Sequence, residues 1–239
     1  MIDQSSVKTS YPWIALTLAS AGQFVESLAF TSIAVLYPFI QDSFSLTRTQ
    51  VGLITSARGV GSFLVVLLSG WLVDAFGVRR VMFIALAGLA LCILSFPLAS
   101  TFPILIAIAA LIGITSAPAY PATSRMIMDW LPERIRGLSM SLKQAGVPLA
   151  GALAAVVLPT LAIMLGWRTA LALTGAVAII IAIGYLVLYR DISISNVKAE
   201  KLHLSALLNI VHNRRMLVTC IWASIFVGFQ HIILSYLIL

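Results

Sequence analysis

Charged residues are scarce in this chain. Lys, Arg, Asp and Glu make up 10% of its 239 residues, against roughly 25% in soluble globular domains. In their place 61% of the residues are hydrophobic, and the mean hydropathy is +1.06. A globular core cannot bury so much apolar surface, so the composition excludes a soluble domain. The net charge of +7 then bears on membrane orientation rather than on nucleic-acid binding.

Residues that typify metal, disulfide and nucleotide chemistry are also few. Cys92 and Cys220 both lie in apolar runs, where a free cysteine packs as a small hydrophobic side chain, and they form no disulfide framework or metal-ligand spacing. The sequence has no phosphate-binding glycine loop and no histidine–acid set for a metal. It therefore predicts no enzyme, no cofactor and no use of ATP. No small-residue cleavage site precedes the first apolar run, so we expect a retained first helix.

What the chain does have is seven apolar stretches, each near the roughly 20 residues that cross a bilayer as a helix. They cover residues 13–36, 51–73, 81–100, 103–129, 138–164, 169–189 and 216–239. Helices are expected because backbone groups find no water to bond within hydrocarbon. The predicted fold class is an all-α membrane protein. Its parts are a six-helix bundle over 1–190, a basic cytoplasmic linker over 191–215 and a seventh transmembrane helix over 216–239.

Basic residues in the loops predict the orientation. Alternate loops on one side hold ten of them, and the other side holds only Arg48 and Arg168, which places the N-terminus and the linker in the cytoplasm of a cell (inner) membrane. The ten are Lys8, Arg79, Arg80, Arg134, Arg136, Arg190, Lys198, Lys201, Arg214 and Arg215. Four apolar linker residues at helical spacing predict an amphipathic helix, either on the inner membrane face or packed on the end of the bundle: Leu204, Leu207, Leu208 and Val211.

A charged turn, "GWLVDAFGVRR" at 70–80, interrupts these apolar runs. A solvated turn would explain its charges but not the ordered pattern G-x-L-x-D-x-x-G-x-R-R. We expect Gly70 and Gly77 to allow close backbone approach and the turn itself. When the cavity faces outward, we expect Asp74 to cap the inner gate by bonding Arg79 or Arg80 and the neighbourhood of Asp129. The predicted gating loop comprises Gly70, Asp74, Gly77, Arg79, Arg80 and Asp129.

The pattern resembles the signature loop of the major facilitator superfamily of secondary transporters. A second segment, "DWLPERIRGL" at 129–138, resembles the acid–aromatic–Pro–x–R–x–R–G run common there, and the six-helix block before a basic loop agrees as well. The sequence departs from the family at Ala75 and Val78, where many members have basic residues, and at Ile108, where many have an arginine. "GVPLAG" at 146–151 matches the drug-antiporter motif only loosely, which weakens an efflux interpretation.

The resemblance also implies an internal architecture. Such transporters contain inverted three-helix repeats within each half, and both "FGVRRVM" at 76–82 and "LGWRTAL" at 165–171 keep G-x-R at an offset of 89 residues. The family normally has twelve helices, in two bundles that rock about one site. We therefore expect a seven-helix chain alone not to transport, and the full-length protein to be a monomer.

Four charged residues fall inside the predicted helices, where each costs several kcal/mol unless it is paired or hydrated. Counted at about 1.5 Å per residue, Glu26 and Arg58 share a depth on adjacent helices, which predicts an ion pair. The pair either locks the two helices together or lets Glu26 take up and lose a proton as the site changes access. The resemblance adds that first-helix acids couple protons in several branches of the superfamily.

Arg125 and Lys143 lie about 8 Å inside the cytoplasmic surface, where each either snorkels to the headgroups or binds solute. Three bases against one acid favour an anionic solute. Tyr120 lies in a helix region distorted by flanking prolines, and Gln230 and His231 lie mid-span in the seventh helix. The predicted substrate-binding residues are Arg58, Tyr120, Lys143, Gln144 and His231, with Glu26 as the proton-coupling residue and no metal ligands.

These features together predict secondary active transport of a small, anionic organic solute by alternating access, as proton-coupled uptake (symport). The expected partners are the solute, protons and the lipid bilayer, without nucleic acid. Two alternatives stay open: a transporter-like receptor that senses a solute without moving it, and a drug or metabolite efflux antiporter. The sequence does not identify the solute or distinguish symport from antiport.

Overall fold

The computed structural model describes residues 11–191, 217–222, 224–226 and 229. Seven α-helices occupy the first of these ranges: α1 Tyr11–Phe44, α2 Arg48–Phe76, α3 Val78–Ser95, α4 Phe102–Ser116, α5 Ala119–Trp130, α6 Glu133–Leu165 and α7 Trp167–Leu188. One turn of 3-10 helix, Phe96–Leu98, follows α3. The chain divides into two compact units, 1–196 and 197–239, and the described residues of the second unit are helical. The predicted linker helix, Gln230 and His231 lie outside the described residues.

Six apolar helical stretches within residues 11–191 are long enough to cross a membrane, and α4 and α5 together make the fourth of them. The most extensive packing is of α1 on α6, α2 on α4 and α3 on α7. This arrangement confirms the predicted six-helix transmembrane bundle.

Several helices begin or end beyond the predicted apolar stretches. α6 begins at Glu133 rather than near residue 138 because its polar first turn is anchored: the Arg136 guanidinium donates to Met128 O and Leu131 O and pairs with Glu133 at 3.6 Å. Lys143 therefore lies about 15 Å along α6 from its first residue.

The two G-x-R turns have nearly the same backbone. Gly77 ends α2 with φ 81° and ψ 155°, and Gly166 ends α6 with φ 86° and ψ 148°. Each glycine N–H donates over 3.0 Å to the carbonyl four residues earlier, on Val73 and Ala162 respectively. Such positive φ angles strain every residue with a Cβ, which explains why both turns keep glycine. The geometry agrees with two inverted three-helix repeats.

Gly70 corrects one expectation. It lies within α2, and a Cβ built on it would meet no heavy atom within 4 Å. The expected close backbone approach at this position is therefore wrong for the described residues, because this side of α2 is open.

The close approach of α2 occurs earlier in the helix, around Arg58 and Gly61, where it packs against α4. A Cβ on Gly113 would overlap Arg58 O, and one on Gly61 would overlap Ala110 O. These reciprocal contacts between small residues bring the two backbones together, as is usual for helices packed in lipid. These contacts determine the position of Arg58 along the α2–α4 interface.

We predict that Gly113→Ala destabilises the bundle by about 1–3 kcal/mol, because a methyl group against a helix backbone overpacks the interface. The melting temperature of the detergent-purified protein should fall by several degrees. Gly151→Ala is the matched control, since a Cβ there meets nothing within 4 Å. Equal melting temperatures for the two variants would contradict the close α2–α4 contact.

Candidate solute and proton site

An ion pair joins α1 to α2 inside the bundle. Arg58 Nη2 lies 3.4 Å from Glu26 Oε1, with the two side chains only 15% and 21% exposed. The Phe30 ring covers the guanidinium, its centroid 3.8 Å from Arg58 Cζ. The ion pair predicted from helix depth is confirmed. Because little water reaches either charge, each depends on the other for compensation.

Gln23 extends this pair toward the centre of the bundle. It lies one turn before Glu26 and is 4% exposed. Its Nε2 donates to Glu26 Oε2 over 3.4 Å, and its Oε1 accepts from Thr123 Oγ1 over 3.5 Å. The amide thus connects the acid on α1 to a hydroxyl on α5.

Lys143 lies on the other side of Thr123. Its side chain is buried, with the residue only 1% exposed, and Nζ donates to Ser124 Oγ over 2.9 Å and to Thr123 Oγ1 over 3.3 Å. The Tyr120 ring centroid is 4.2 Å from Nζ. Lys143 therefore does not snorkel to the headgroups in this structure. Among the described residues no carboxylate lies within ion-pair distance of it.

These contacts form one continuous set, which we call the polar chain: Arg58, Glu26, Gln23, Thr123, Lys143 and Ser124. It runs across α2, α1, α5 and α6, and so joins four of the six spans. One end holds a compensated ion pair, and the other end holds a cation with only neutral partners.

The break between α4 and α5 positions the hydroxyls. Thr123 Oγ1 lies 2.8 Å from Ala119 O, which competes with Gln23 Oε1 for the single hydroxyl proton, and Ser124 Oγ donates to Tyr120 O over 2.8 Å. A hydroxyl carries one proton, so the lone pairs of Ser124 Oγ remain to accept from Lys143. The predicted distortion of the fourth span is confirmed, and the carbonyls near it bond these side chains.

Of the other predicted binding residues, Tyr120 presents a half-exposed ring beside Lys143. Gln144 is exposed and hydrogen-bonds to no described residue, and His231 lies outside the described part. Sequence reasoning missed Gln23, Thr123 and Ser124. Their helical spacing from Glu26 and Tyr120 was the available signal. In the described ranges, no group of three or more His, Cys, Asp and Glu could hold a metal ion.

The predicted gating loop has a different partner from the expected one. Asp74 Oδ1 pairs with Arg125 Nη1 at 3.3 Å, and Arg125 Nε pairs with Asp129 Oδ1 at 2.9 Å. Arg125 thus bridges two carboxylates across α2 and α5. In this structure Asp74 thus reaches the neighbourhood of Asp129 through Arg125 and does not bond Arg79 or Arg80. Arg80 is exposed and forms no ion pair within the described part.

Arg79 instead joins the ends of α3 and α7. Its guanidinium donates to Leu186 O in the last turn of α7, and its backbone N–H donates to Asp191 Oδ1 over 3.2 Å. A cation at a helix C-terminus and a carboxylate at an N-terminus both suit the helix dipoles. The nearby Tyr189 is buried, and this burial raises the pKa of its phenol, which stays neutral. The hydrogen-bonding groups of Arg79 thus contact Leu186 and Asp191 rather than Asp74.

Comparison with known proteins identifies relatives of this arrangement. The family model of the Major Facilitator Superfamily matches residues 19–239. The D-galactonate transporter of Escherichia coli O6:H1 is 30% identical over 159 residues, which are 66% of this chain and 37% of that protein. The hexuronate transporter of Bacillus subtilis is 28% identical over 170 residues, 71% of this chain and 40% of that protein. The aligned part is thus about two fifths of these relatives' length.

A solved structure shows the same fold. The inward-facing, unoccupied bacterial homologue of the human lysosomal transporter Spinster superposes with a TM-score of 0.69 at 19% identity. The match covers 77% of this chain and 44% of that one. The six-helix bundle therefore shares its fold with the matching part of that structure.

Proposed function

Because the chain belongs to the major facilitator superfamily, we propose that the protein containing it is a proton-coupled secondary transporter that takes up a small organic anion. Lys143 is the observation that carries this proposal. It is a buried cation whose described partners are two hydroxyls and the face of a ring. An uncompensated charge at membrane depth costs several kcal/mol. An anionic solute bound beside Lys143 offsets that cost.

The surroundings of Lys143 favour a hydroxylated carboxylate. Nζ binds the carboxylate, while Ser124, Thr123 and the Tyr120 phenol provide hydrogen-bonding groups for solute hydroxyls. Hexuronates and D-galactonate, the solutes in the names of two relatives, are acids of this class. We therefore propose a sugar acid or a chemically similar carboxylate as the solute.

The polar chain supports a coupling mechanism. A bound anion adds negative charge near Glu26 through Thr123 and Gln23, and a nearby negative charge favours the protonated form of a carboxyl group. Glu26 therefore gains a proton as the solute binds and loses it as the solute leaves. Solute and proton then cross together, which makes the step a symport rather than an enzymatic reaction.

The orientation proposed from the loops places the N-terminus and the α2–α3 turn in the cytoplasm of the cell membrane. The Asp74–Arg125–Asp129 bridge then lies at the inner end of α2 and α5. We propose that it holds the inner gate closed while the site faces outward.

Glutamine at Lys143 or Arg58 should weaken binding of D-galactonate and D-glucuronate at least tenfold, about 1.4 kcal/mol. Isothermal titration with the purified protein measures this. Arg134→Gln is the matched control because it removes the same charge from an exposed residue that forms no ion pair with the described residues. Unchanged affinity in both test variants would assign these cations structural roles.

Glu26→Gln mimics the protonated acid permanently. It should still bind the sugar acid and exchange it across a proteoliposome membrane without a gradient, but lose accumulation driven by a pH gradient. Radiolabelled uptake with and without the gradient separates the two activities. Accumulation that survives in this variant would place coupling elsewhere. Binding without net flux in the unmodified protein would favour a receptor.

Asp74→Asn removes the charge that Arg125 bridges to Asp129. Net uptake should slow at least tenfold while solute affinity changes less than twofold, because the bridge residues form no hydrogen bond or ion pair with Lys143 and act on the change of access. Asp42→Asn, at an exposed residue near the end of α1, is the control. Normal uptake by Asp74→Asn would exclude the gating role.

A further inference from the structure

A small cavity lies on the side of the Glu26–Arg58 pair that faces the α1–α2 turn. It has a volume of about 30 Å³, and Phe30, Ala34, Tyr37, Thr55 and Arg58 contribute to its lining. Tyr37 and Thr55 are each about 10 Å along their helices from the ends joined by that turn. One water molecule needs about 10–15 Å³ measured in this way, so the cavity holds one or two waters and is too small for an organic solute.

Arg58 presents an unused donor here. Its Nη2 donates to Glu26, whereas its buried Nε–H has no acceptor among the described residues. A buried donor without an acceptor costs about 1–3 kcal/mol, and more when the group is charged. The Nε–H is thus a buried donor without a described acceptor on a residue that lines the cavity.

The opposite wall of the cavity supplies hydroxyls. Tyr37 Oη and Thr55 Oγ1 are 2.8 Å apart, and Thr55 Oγ1 lies 3.2 Å from Val51 O. When Thr55 donates its one proton to Val51 O, Tyr37 donates to Thr55, and the lone pairs of Tyr37 remain free. A water between Arg58 and Tyr37 then accepts from the cation and donates to the phenol. Thr55 is exposed, so the cavity reaches the surface of the bundle there.

We propose that this cavity is a water-binding site that becomes the partner of Arg58 when Glu26 is protonated. The inference rests on the proposed proton coupling at Glu26. An arginine cannot lose its own proton in a protein, so protonation of Glu26 leaves a buried cation without its counter-ion. Cavity water, backed by the hydroxyls of Tyr37 and Thr55, offsets that charge and makes the protonated state accessible.

The charged and titratable groups around Glu26 define what else can act on this equilibrium. α1 contributes Tyr37, α2 contributes Arg58, and α6 contributes Lys143 through the polar chain. α5 presents the neutral Thr123. Arg58 and Tyr37 are the titratable residues among those that line the cavity, so variants at the other lining positions change its water without removing a charge.

The test is an infrared titration of the Glu26 carboxyl in the purified protein without solute, its band identified by its loss in Glu26→Gln. Thr55→Val removes an acceptor from the wall, and Ala34→Leu fills the cavity while leaving every hydroxyl in place. Each should lower the proton affinity of Glu26 at least threefold, moving the titration midpoint to lower pH. Thr55→Ser keeps the hydroxyl and should match the unmodified protein.

A midpoint that stays at the unmodified value in either Thr55→Val or Ala34→Leu overturns the water site. A Glu26 band that never titrates while the protein stays folded overturns the proposed coupling itself. The two failures are therefore distinguishable.

Discussion

A charge buried among apolar helices must be compensated, and much of this bundle is arranged around that requirement. Glu26 and Arg58 meet because α1 and α2 carry them at similar depth, and because Gly61 and Gly113 let α2 lie directly against α4. Phe30 and Gln23 occupy further faces of the pair. Packing of small residues thus determines where the electrostatic partners stand.

The same requirement is left unmet at Lys143, and this asymmetry connects structure to transport. The polar chain has a compensated ion pair at one end and an uncompensated cation at the other. We propose that an anion bound at the cation changes the charge balance at the ion pair. In the proposed mechanism, binding an anion and binding a proton are linked events, and linkage of this kind is reciprocal. The bridge through Arg125 at the end of α2 and α5 is separate from the polar chain, which fits a role in access rather than in binding.

The sequence was sufficient for the features that follow from period, length and composition. The six spans, the glycine turns at Gly77 and Gly166, and the Glu26–Arg58 pair all depend on helix geometry and on the cost of isolated charge. The sequence was insufficient where the rotation of a helix about its axis, or the residue at which the helix begins, determines which side chains meet. Lys143 is buried against Thr123 and Ser124 because the rotation of α6 turns it toward α5. Asp74 bonds Arg125 rather than Arg79, because Arg79 faces the end of α7.

The central claim is that anion binding and protonation of Glu26 are linked through the polar chain. Calorimetric binding of the sugar acid in buffers of different ionisation enthalpy measures the protons exchanged per solute bound. The account predicts an uptake approaching one proton in the unmodified protein and about none in Glu26→Gln, as reciprocal linkage requires. A binding enthalpy independent of the buffer in the unmodified protein would contradict it.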